Sequence, residues 1–491
     1  MKVGMISLGC PKNLVDSEVM LGLTEQAGHT ITPDASEADV LVVNTCAFID
    51  RAKQESVDAI LEMAALKKTG ACQRLVVTGC LAERYRDELR EQIPEIDAVL
   101  GTGEVPEILA AIAPNALNVP NAPNVPNAPN VPNAPSAPGT VPLTLYKGDS
   151  PRGHSPRGLR KTPSHQPLGS RTELPTYLYD ASTPRRLATP RHYAYVKVAE
   201  GCDYKCAFCI IPRLRGHYRS RSADEIVREA QGLAARGVKE LLLISQDTTF
   251  YGNDLGERGA LGRLLRRLNA VDGLEWIRLL YLYPTTIDAD MLEAMADCEK
   301  VCKYIDLPLQ HASDAVLKRM RRPGTRRSYE QLLDRIRTRI PGVALRTTFI
   351  VGFPGETDSD FEALTGFVDE VGFDHVGVFT YSHEEGTAAG EFDDDVPAAV
   401  KRKRRDRLMA RQSEIVAAAQ QTRVGQRVRV VVDGPSTEHD LVLRGRLASQ
   451  APDIDPMVYL TECDPSDYAT GQFIDVEIVG ARGYDLLVRP A

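Results

Sequence analysis

Residues 202–209 read Cys202-Asp203-Tyr204-Lys205-Cys206-Ala207-Phe208-Cys209, which places three thiols in C-x-x-x-C-x-x-C spacing. They follow the run Tyr193–Val198, whose β-branched and aromatic residues predict a strand. A structural zinc ion usually has four ligands in two spaced pairs, and no fourth Cys or paired His lies nearby in the sequence. Three thiolates can instead hold a 4Fe-4S cluster with one iron open to a substrate group. The spacing therefore favours a catalytic iron–sulfur cluster, with buried thiols or a zinc site as the alternatives.

This octet, including the aromatic Phe208 before the third cysteine, resembles the signature of the radical S-adenosylmethionine enzymes. The resemblance implies that Cys202, Cys206 and Cys209 hold a 4Fe-4S cluster whose open iron is chelated by the amino and carboxylate groups of S-adenosylmethionine. In that family one electron cleaves the sulfonium and gives methionine and a 5′-deoxyadenosyl radical.

The chain has 491 residues, which is too long for one ordinary hydrophobic core, so we expect two to four domains. Its hydrophobic content of 43% is typical of a soluble globular protein. We expect a cytosolic protein, since no signal-peptide pattern opens the chain and no apolar run approaches the roughly 18 residues of a membrane span. Ten cysteines are too few for a disulfide scaffold. The net charge of −8 argues against a protein that coats nucleic acid.

The first domain, residues 1–113, contains three apolar β-type runs that each lead to a cysteine. Helical patterns such as Asp16–Gln26 and Ala52–Lys67 lie between them, which predicts a βαβαβ unit with a parallel, Rossmann-like sheet. Ligands of such sheets bind beyond the carboxyl ends of the strands, so cysteines at three strand ends can converge. We therefore predict a second three-thiolate 4Fe-4S cluster, although each thiol alone would more often fill a core. The runs and their cysteines are Val3–Leu8 with Cys10, Val40–Val43 with Cys46, and Leu75–Val77 with Cys80.

Two stretches around these cysteines, Ser7–Glu18 (SLGCPKNLVDSE) and Asn44–Asp50 (NTCAFID), resemble the methylthiotransferases, which carry such a cluster domain before a radical domain. The residues of these two stretches are similar to those of the branch of the family that modifies a ribosomal protein. The resemblance implies transfer of a methylthio group to the β-carbon of an aspartate of ribosomal protein S-twelve. It implies two 4Fe-4S clusters and S-adenosylmethionine as cofactors.

The same resemblance implies ribosomal protein S-twelve or the small ribosomal subunit as partner, together with a reduced electron donor such as flavodoxin or ferredoxin. The tRNA-modifying branch typically reads G-C-Q-M-N at the first cysteine, whereas this chain reads Gly9-Cys10-Pro11-Lys12-Asn13. Methylthiolation of tRNA adenosine is therefore the less favoured alternative. A non-catalytic iron–sulfur or zinc scaffold that binds ribosomal components is the alternative from another functional class.

A linker is predicted over residues 114–190, where Asn118–Pro135 alternates Asn-Val-Pro and Asn-Ala-Pro triplets. Such a composition has too little apolar surface to offset the entropy of ordering the chain, so we expect an extended or disordered spacer. The same junction is usually shorter in the family that the chain resembles.

The radical domain, residues 191–421, alternates six strand patterns with helical patterns and therefore predicts a partial TIM-like (β/α)6 barrel. The predicted strands are Tyr193–Val198, Glu240–Ser245, Trp276–Tyr281, Tyr304–Leu309, Ala344–Val351 and His375–Thr380. Polar or glycine-rich loops follow several of them, and the resemblance implies that such loops bind S-adenosylmethionine. The candidates are Gln246, Gly352, Gly355 and Glu356. His311, after the fourth strand, is more often a packed or capping residue than a base.

The run Lys401–Arg405 opens a predicted helix, for which a solvated charged face is favoured over an RNA-facing patch. The tail, residues 422–491, has short alternating runs that predict a small antiparallel barrel, similar in position to the TRAM domain of methylthiotransferases. Its acidic residues outnumber its basic ones. An RNA clamp should be basic, so this composition favours a basic protein partner.

Overall fold

The computed structural model describes residues 1–114, 174–436 and 442–491. The chain divides into an N-terminal unit, residues 1–189 with 213–216, and a C-terminal unit, residues 190–212 with 217–491. The predicted Asn-Val-Pro and Asn-Ala-Pro repeat lies outside the described residues. Near the end of the predicted linker, Arg185 forms a buried ion pair with Glu18 at 2.5 Å, so packed structure begins before residue 190.

The N-terminal unit contains a five-stranded parallel sheet in the order β2-β1-β3-β4-β5. The parallel sheet is confirmed, and the three strands that lead to cysteines are its central neighbours β1, β3 and β4. The two edge strands were not predicted, because runs of two or three residues show no periodicity. The strands are β1 (Lys2–Ser7), β2 (Thr30–Ile31), β3 (Val40–Thr45), β4 (Arg74–Gly79) and β5 (Ala98–Leu100). The helices are α1 (Pro11–Gln26), α2 (Asp50–Thr69), α3 (Cys80–Arg84), α4 (Arg86–Gln92) and α5 (Ile108–Ile112).

The first part of the C-terminal unit has two three-stranded parallel sheets, β10-β9-β6 and β11-β12-β13, which together supply the six predicted strands. The Leu282 amide donates to the Asp306 carbonyl at 2.9 Å and links the two sheets beyond β10. The strands are β6 (Tyr193–Lys197), β7 (Ala199–Glu200), β8 (Arg219–Ser220), β9 (Glu240–Ile244), β10 (Trp276–Leu279), β11 (Tyr304–Asp306), β12 (Ala344–Val351) and β13 (His375–Thr380). The partial barrel is confirmed.

Helices follow the barrel strands in the predicted alternation, and their apolar sides pack on the sheets. They are α6 (Ile211–Arg215), α7 (Ala223–Ala235), α8 (Ala260–Asn269), α9 (Ala289–Asp297), α10 (Asp314–Arg319), α11 (Arg326–Arg339), α12 (Asp358–Val371) and α13 (Ala398–Gln421). Helix α12 begins with a capping box in which Thr357 and Asp360 exchange side-chain and backbone hydrogen bonds. In the described part of the chain, no helix combines the length and apolar character needed to cross a membrane.

The basic run at the start of α13 is partly paired, since Lys401 pairs with Asp394 and Arg404 with Asp358, while Arg402 and Lys403 are exposed. Together with Arg407 and Arg411 further along α13, Arg404 forms ion pairs with residues of α12, so part of the positive charge of this helix is balanced within the fold. This arrangement supports the charged-helix interpretation over an RNA patch. The pairs are Arg404 with Asp358, Arg407 with Glu362, and Arg411 with Asp369.

The tail is a closed five-stranded barrel in the order β14-β15-β16-β18-β17, with a core of Val, Leu and Ile side chains. It differs from the predicted antiparallel barrel in one pair, since β16 and β18 run parallel. The final strand was not predicted, because its two inward residues give too short an alternation. The strands are β14 (Arg427–Pro435), β15 (Leu443–Leu447), β16 (Val458–Leu460), β17 (Phe473–Arg482) and β18 (Asp485–Pro490).

Candidate functional site

The first candidate site is the N-terminal triad, Cys10, Cys46 and Cys80, which lies at one edge of the N-terminal sheet. Cys10 is the N-cap of α1 after β1, Cys46 directly follows β3, and Cys80 is the first residue of α3 after β4. Because β1, β3 and β4 are parallel neighbours in register, their carboxyl ends bring the three cysteines together. Cys46 and Cys80 are buried, and Cys10 is half-buried.

Two glycines bring the backbone close to this triad. Gly9 and Gly79 have φ of +90° and +93°, a region that L side chains rarely adopt. A Cβ at Gly9 would lie 3.0 Å from the Cys46 Sγ, and one at Gly79 would lie 2.3 Å from the Asn44 Oδ1 and 2.6 Å from the Thr45 carbonyl oxygen. Only glycine therefore fits where the chain turns into Cys10 and Cys80.

Two asparagines of the sequence motif join the loops that carry Cys10 and Cys46. The Asn13 side-chain amide donates to the carbonyls of Leu8 at 3.1 Å and Thr45 at 2.7 Å. The Asn44 amide donates to the Asn13 carbonyl and to the Ser17 Oγ, each at 2.8 Å. Buried backbone carbonyls need partners, so these amides fix the loop geometry. The motif residues beside the cysteines therefore act as the frame of the triad.

The loop after β3 has its own supports. The Cys46 amide donates to the Ser56 Oγ at 2.9 Å, and that hydroxyl donates to the Cys46 carbonyl at 3.0 Å. The Arg84 guanidinium donates to the Ala47 carbonyl at 3.1 Å. Helices α2 and α3 thereby hold Cys46 in place through one hydroxyl and one guanidinium.

Burial is the main electrostatic influence on these thiols. Burial, together with the neighbouring thiols, raises the pKa of Cys46 to about 12 and that of Cys80 to about 11. The Arg215 guanidinium acts in the opposite direction on the pKa of Cys80. Without a metal, the buried thiols keep their protons, and a bound metal cluster would replace those protons. The triad suits a ligand that carries compensating positive charge.

The second candidate site is the radical triad, Cys202, Cys206 and Cys209, which lies in one loop after β6 and β7. The Cys209 amide donates to the Cys206 carbonyl at 3.1 Å, which makes a tight turn between them. Ala207 anchors the loop, because its amide donates to the Met320 carbonyl at 2.8 Å and its carbonyl accepts from the Ala389 amide at 2.7 Å. Its methyl group is buried in an apolar cluster. All three thiols are half-buried.

An arginine and two tyrosines surround Cys206. The Arg322 Nη1 lies 3.8 Å from the Cys206 Sγ, and the guanidinium lies over the Tyr283 ring at 4.1 Å. Tyr204 stacks on Tyr283 at 3.9 Å and donates its hydroxyl to the Asp247 Oδ2 at 2.9 Å. A guanidinium next to a sulfur stabilises the thiolate that a metal needs. Sequence reasoning missed Arg322 and Tyr283, since they lie far from the cysteine motif.

Burial also raises the pKa of Cys202, to about 12, and it raises the pKa of Cys209 well above its usual range. Within the described ranges, no three Cys, His, Asp or Glu side chains come close enough to hold a single metal ion. A four-iron cluster binds its thiolates at separate corners, so it needs a wider set of ligands than one ion does. Each triad offers three thiolates, which matches a 4Fe-4S cluster with one open iron, whereas a structural zinc ion takes four ligands.

The predicted S-adenosylmethionine contacts lie at carboxyl ends of barrel strands. The Gln246 side-chain amide donates to Glu200, whose carboxylate also pairs with Lys197 at 2.6 Å. The carboxylate of Glu356 accepts from the backbone amides of Gly352 and Phe353 within its own loop.

Gly352 and Gly355 have φ of +72° and +75°, so this glycine-rich loop has turns that favour glycine. His311 is fully buried, and its Nδ1 accepts from the Ser313 amide at 2.9 Å, which is the packed, capping arrangement. Burial lowers the pKa of His311 to about 3. No structural finding tests ligand binding by Gln246, Gly352, Gly355 or Glu356, and their assignment stays a prediction.

Three family descriptions match the chain in the order of its folded parts. Residues 2–101 match the uncharacterized protein family UPF0004, residues 196–368 match the radical SAM superfamily, and residues 424–490 match the TRAM domain. The radical SAM match includes the radical triad, and the UPF0004 match includes the N-terminal triad.

Curated relatives match the chain over nearly its whole length. A protein of Koribacter versatilis (strain Ellin345), named ribosomal protein uS12 methylthiotransferase RimO, is 48% identical over 491 residues, which is 99% of this chain and 96% of the relative. A protein of the same name from Trichlorobacter lovleyi is 44% identical and covers 99% of this chain and 97% of its own length.

Solved structures of lower identity share the fold. The radical S-adenosylmethionine methyltransferase TsrM from Kitasatospora setae, with cobalamin and a 4Fe-4S cluster bound, has a TM-score of 0.53 at 17% identity and covers 79% of this chain and 74% of its own. The cobalamin-dependent S-adenosylmethionine radical enzyme OxsB, with aqua-cobalamin bound, has a TM-score of 0.51 at 10% identity, covering 84% and 56%. At this identity the likeness concerns the fold alone.

Proposed function

The chain belongs to the ribosomal protein uS12 methylthiotransferase family, and on that premise we propose that it transfers a methylthio group to the β-carbon of an aspartate in ribosomal protein uS12. The family assignment rests on relatives 48% and 44% identical over nearly the full chain. The chain is accordingly a transferase of the radical S-adenosylmethionine type, with iron–sulfur clusters and S-adenosylmethionine as cofactors.

The observation that carries the proposal is that one chain has two cysteine triads, each with three thiols instead of four. Cys202, Cys206 and Cys209 are proposed to bind the cluster that cleaves S-adenosylmethionine. Bound there, a reduced 4Fe-4S cluster supplies the electron that makes a radical able to break an unactivated C–H bond. Cys10, Cys46 and Cys80 are proposed to hold the second cluster, where the sulfur would be presented.

Residues of the chain would prepare the radical site before any substrate binds. Arg322 and Tyr283 orient Cys206, and Ala207 fixes the loop between Cys206 and Cys209. Gln246, Gly352, Gly355 and Glu356 are proposed to contact S-adenosylmethionine, because their loops lie at the same carboxyl end of the barrel strands. A small reduced protein such as flavodoxin or ferredoxin is the proposed electron donor, and the cytoplasm is the proposed location.

The acidity of the tail is weaker support for a protein substrate than its composition suggests. Three of its aspartates have partners inside the C-terminal unit and contribute little to a surface field. Asp433 pairs with Arg446 at 2.8 Å and Asp455 with Arg346 at 3.2 Å. Asp453 accepts from the Tyr193 hydroxyl at 3.3 Å. The choice of uS12 over tRNA as the substrate therefore rests on the curated relatives and on the sequence motifs around Cys10 and Cys46.

The test begins with anaerobic reconstitution and analysis of bound iron and sulfide. We expect two 4Fe-4S clusters in the wild type and in Cys72→Ala, a matched control whose buried cysteine lies outside both triads. We expect one cluster after substitution of either triad. Zinc alone, without iron, would overturn the proposal.

The loaded enzyme is then offered purified uS12, whole small subunits and bulk tRNA in parallel, with label in the methyl group of S-adenosylmethionine. Incorporation into uS12, confirmed by mass spectrometry of the modified aspartate, is the expected result. Incorporation into tRNA alone would move the assignment to tRNA modification.

A further inference from the structure

The strongest unassigned feature near the N-terminal triad is a buried guanidinium directed at one of its sulfurs. Arg215 belongs to the N-terminal unit, and its side chain is only 2% exposed. Its Nη2 lies 3.8 Å from the Cys80 Sγ and donates to the Asn13 Oδ1, while its Nη1 pairs with the Asp16 Oδ2 at 3.1 Å. One side chain therefore contacts a candidate cluster ligand, the asparagine that frames the triad, and a carboxylate.

A purely structural ion pair would need only Asp16, because burial of a guanidinium requires a compensating charge. The planar guanidinium of Arg215 instead divides its donors among three acceptors. Its bond to the Asn13 oxygen leaves the Asn13 amide nitrogen free to donate to the carbonyls of the two cysteine loops. Arg215 thus supports the loop geometry and places positive charge beside a sulfur.

We propose that Arg215 is a positioning residue that holds Cys80 as a ligand and raises the reduction potential of the N-terminal cluster through its hydrogen bond to the Cys80 sulfur. This inference rests on the proposed function, since it assumes a cluster at Cys10, Cys46 and Cys80. Hydrogen bonds to cluster sulfurs and local charge set the potentials of iron–sulfur clusters. Arginine stays charged at every working pH, so the effect would be permanent and not a switch.

The direction of the shift follows from charge. Reduction adds an electron to the cluster, and a nearby guanidinium stabilises the added negative charge. Loss of the Arg215 charge should therefore make reduction harder, whereas loss of the Asp16 charge should make it easier. Hydrogen bonds to buried charged groups change an equilibrium by about tenfold or more. A tenfold change for a one-electron couple is a shift of about 59 mV.

The experiment uses the full chain with Cys202, Cys206 and Cys209 changed to Ala, so that only the N-terminal cluster remains. Iron and sulfide are measured first, and the potential is then determined by dithionite titration followed by electron paramagnetic resonance. In this background Arg215→Gln is expected to lower the ratio of reduced to oxidised cluster at a fixed potential about tenfold. Asp16→Asn is expected to raise that ratio. Arg213→Gln, which removes an exposed arginine from the same short helix, should leave it unchanged.

Each outcome separates the inference from the proposed function. If the background protein binds no four-iron cluster, the proposed function fails at this site. If it binds one and neither Arg215→Gln nor Asp16→Asn moves the potential, only the role of Arg215 is overturned. Shifts of both variants in the same direction would indicate general loosening and also overturn it. If Arg215→Gln does not retain its cluster, the Asp16→Asn variant is the deciding measurement. A reduction potential of its cluster that is not higher than that of the background protein refutes the proposal.

Discussion

The N-terminal triad and the radical triad each consist of three cysteine side chains, but the fold brings them together in different ways. Cys10, Cys46 and Cys80 follow three different strands and meet only because β1, β3 and β4 are parallel and in register. The radical triad lies within eight residues of one loop. A local motif can be recognised from its spacing, whereas a triad spread over the sheet requires the topology to be predicted first.

The supports of the two triads differ in the same way. The loops of the N-terminal triad depend on glycines that no other residue replaces and on side chains from neighbouring loops, such as Asn13 and Asn44. The radical loop depends on the backbone bonds of Ala207 and on one guanidinium at Cys206. The first site should therefore be sensitive to changes in its frame, and the second to changes in the ligands themselves.

The largest expected effect would separate the chemical roles of the two triads. Cys206→Ala is expected to abolish 5′-deoxyadenosine formation, because the sulfonium loses the iron that anchors and reduces it. Cys46→Ala should leave 5′-deoxyadenosine formation in place and stop methylthio transfer. Chromatography of the small-molecule products and mass spectrometry of uS12 measure the two steps.

Cys298→Ala is the control for this pair, since its buried cysteine in the C-terminal unit belongs to neither triad. It should retain both activities. Full cleavage of S-adenosylmethionine by Cys206→Ala would refute its role, and modified uS12 from Cys46→Ala would show that the N-terminal triad is not the sulfur site.

The second prediction tests the frame of the N-terminal triad. In Gly79→Ala a methyl group would meet backbone and side-chain atoms at 2.3 to 2.8 Å in a left-handed conformation. We expect a loss of about 3 kcal/mol in the free energy of unfolding, together with loss of the N-terminal cluster. Gly237→Ala is the matched control, because φ is +95° there and a Cβ would meet no atom within 4 Å. It should cost about 1 kcal/mol and keep both clusters.

Denaturant unfolding and iron analysis measure these two effects. Equal losses of stability in both variants would mean that the close approach at Gly79 relaxes easily. The frame of the N-terminal triad would then tolerate a methyl group at Gly79.

The fold could be predicted where strands and helices are long. The six barrel strands and the three cysteine-bearing strands lie close to their predicted positions, because apolar runs of four to eight residues show their period. Strands β2, β5, β7 and β8 were missed, since their pairing depends on neighbours and not on their own two or three residues. Strand β18 has six residues, but only two of them point inward, which is too short an alternation to recognise. The predicted linker also extended into a segment that Arg185 ties to Glu18, and a long-range ion pair leaves no local sequence signal.

The residues of the candidate sites also divide into those that the sequence could predict and those that it could not. Cysteine is rare enough in this chain for its spacing to be informative, whereas Arg322 and Arg215 are two of 59 basic residues. Arg322 lies 116 residues from Cys206, and Arg215 lies 135 residues from Cys80. Which arginine reaches which sulfur is decided by the packing of distant elements. The candidate cluster ligands could therefore be proposed from the sequence, and the arginines that lie beside them could not.

The third prediction concerns a polar group at the strand ends of the radical barrel. His311 is buried, and burial lowers its pKa to about 3, so the folded protein keeps it neutral. The unfolded chain takes up a proton below about pH 6.5, and stability is therefore lost as pH falls from 6.5 towards 3. We expect this residue to make the cluster-free protein about 2 kcal/mol less stable at pH 5 than at pH 7.

Urea unfolding at both pH values, compared between the wild type and His311→Asn, measures that contribution. The variant should lose about 2 kcal/mol less between the two pH values. Equal losses would mean that the pKa of His311 is nearly the same in the folded and unfolded states, which would contradict the effect of burial.

The smallest expected effect concerns the sequence between the two triads. Asn118–Pro135 lies outside the described residues, and its triplet repeat contains no large core-forming residue. Deleting it should cost less than about 0.6 kcal/mol, because closure entropy changes only slowly with the length of a connecting segment. We therefore expect methylthio transfer to uS12 to change less than about threefold and both clusters to be retained. A control in which the same segment is replaced by Gly and Ser at equal length separates length from sequence. If the deletion folds with both clusters and yet loses more than about tenfold in rate, while the replacement stays active, the required feature is spacing. If both lose activity, the repeat sequence has a function of its own, and the two triads depend on more than their separate folds.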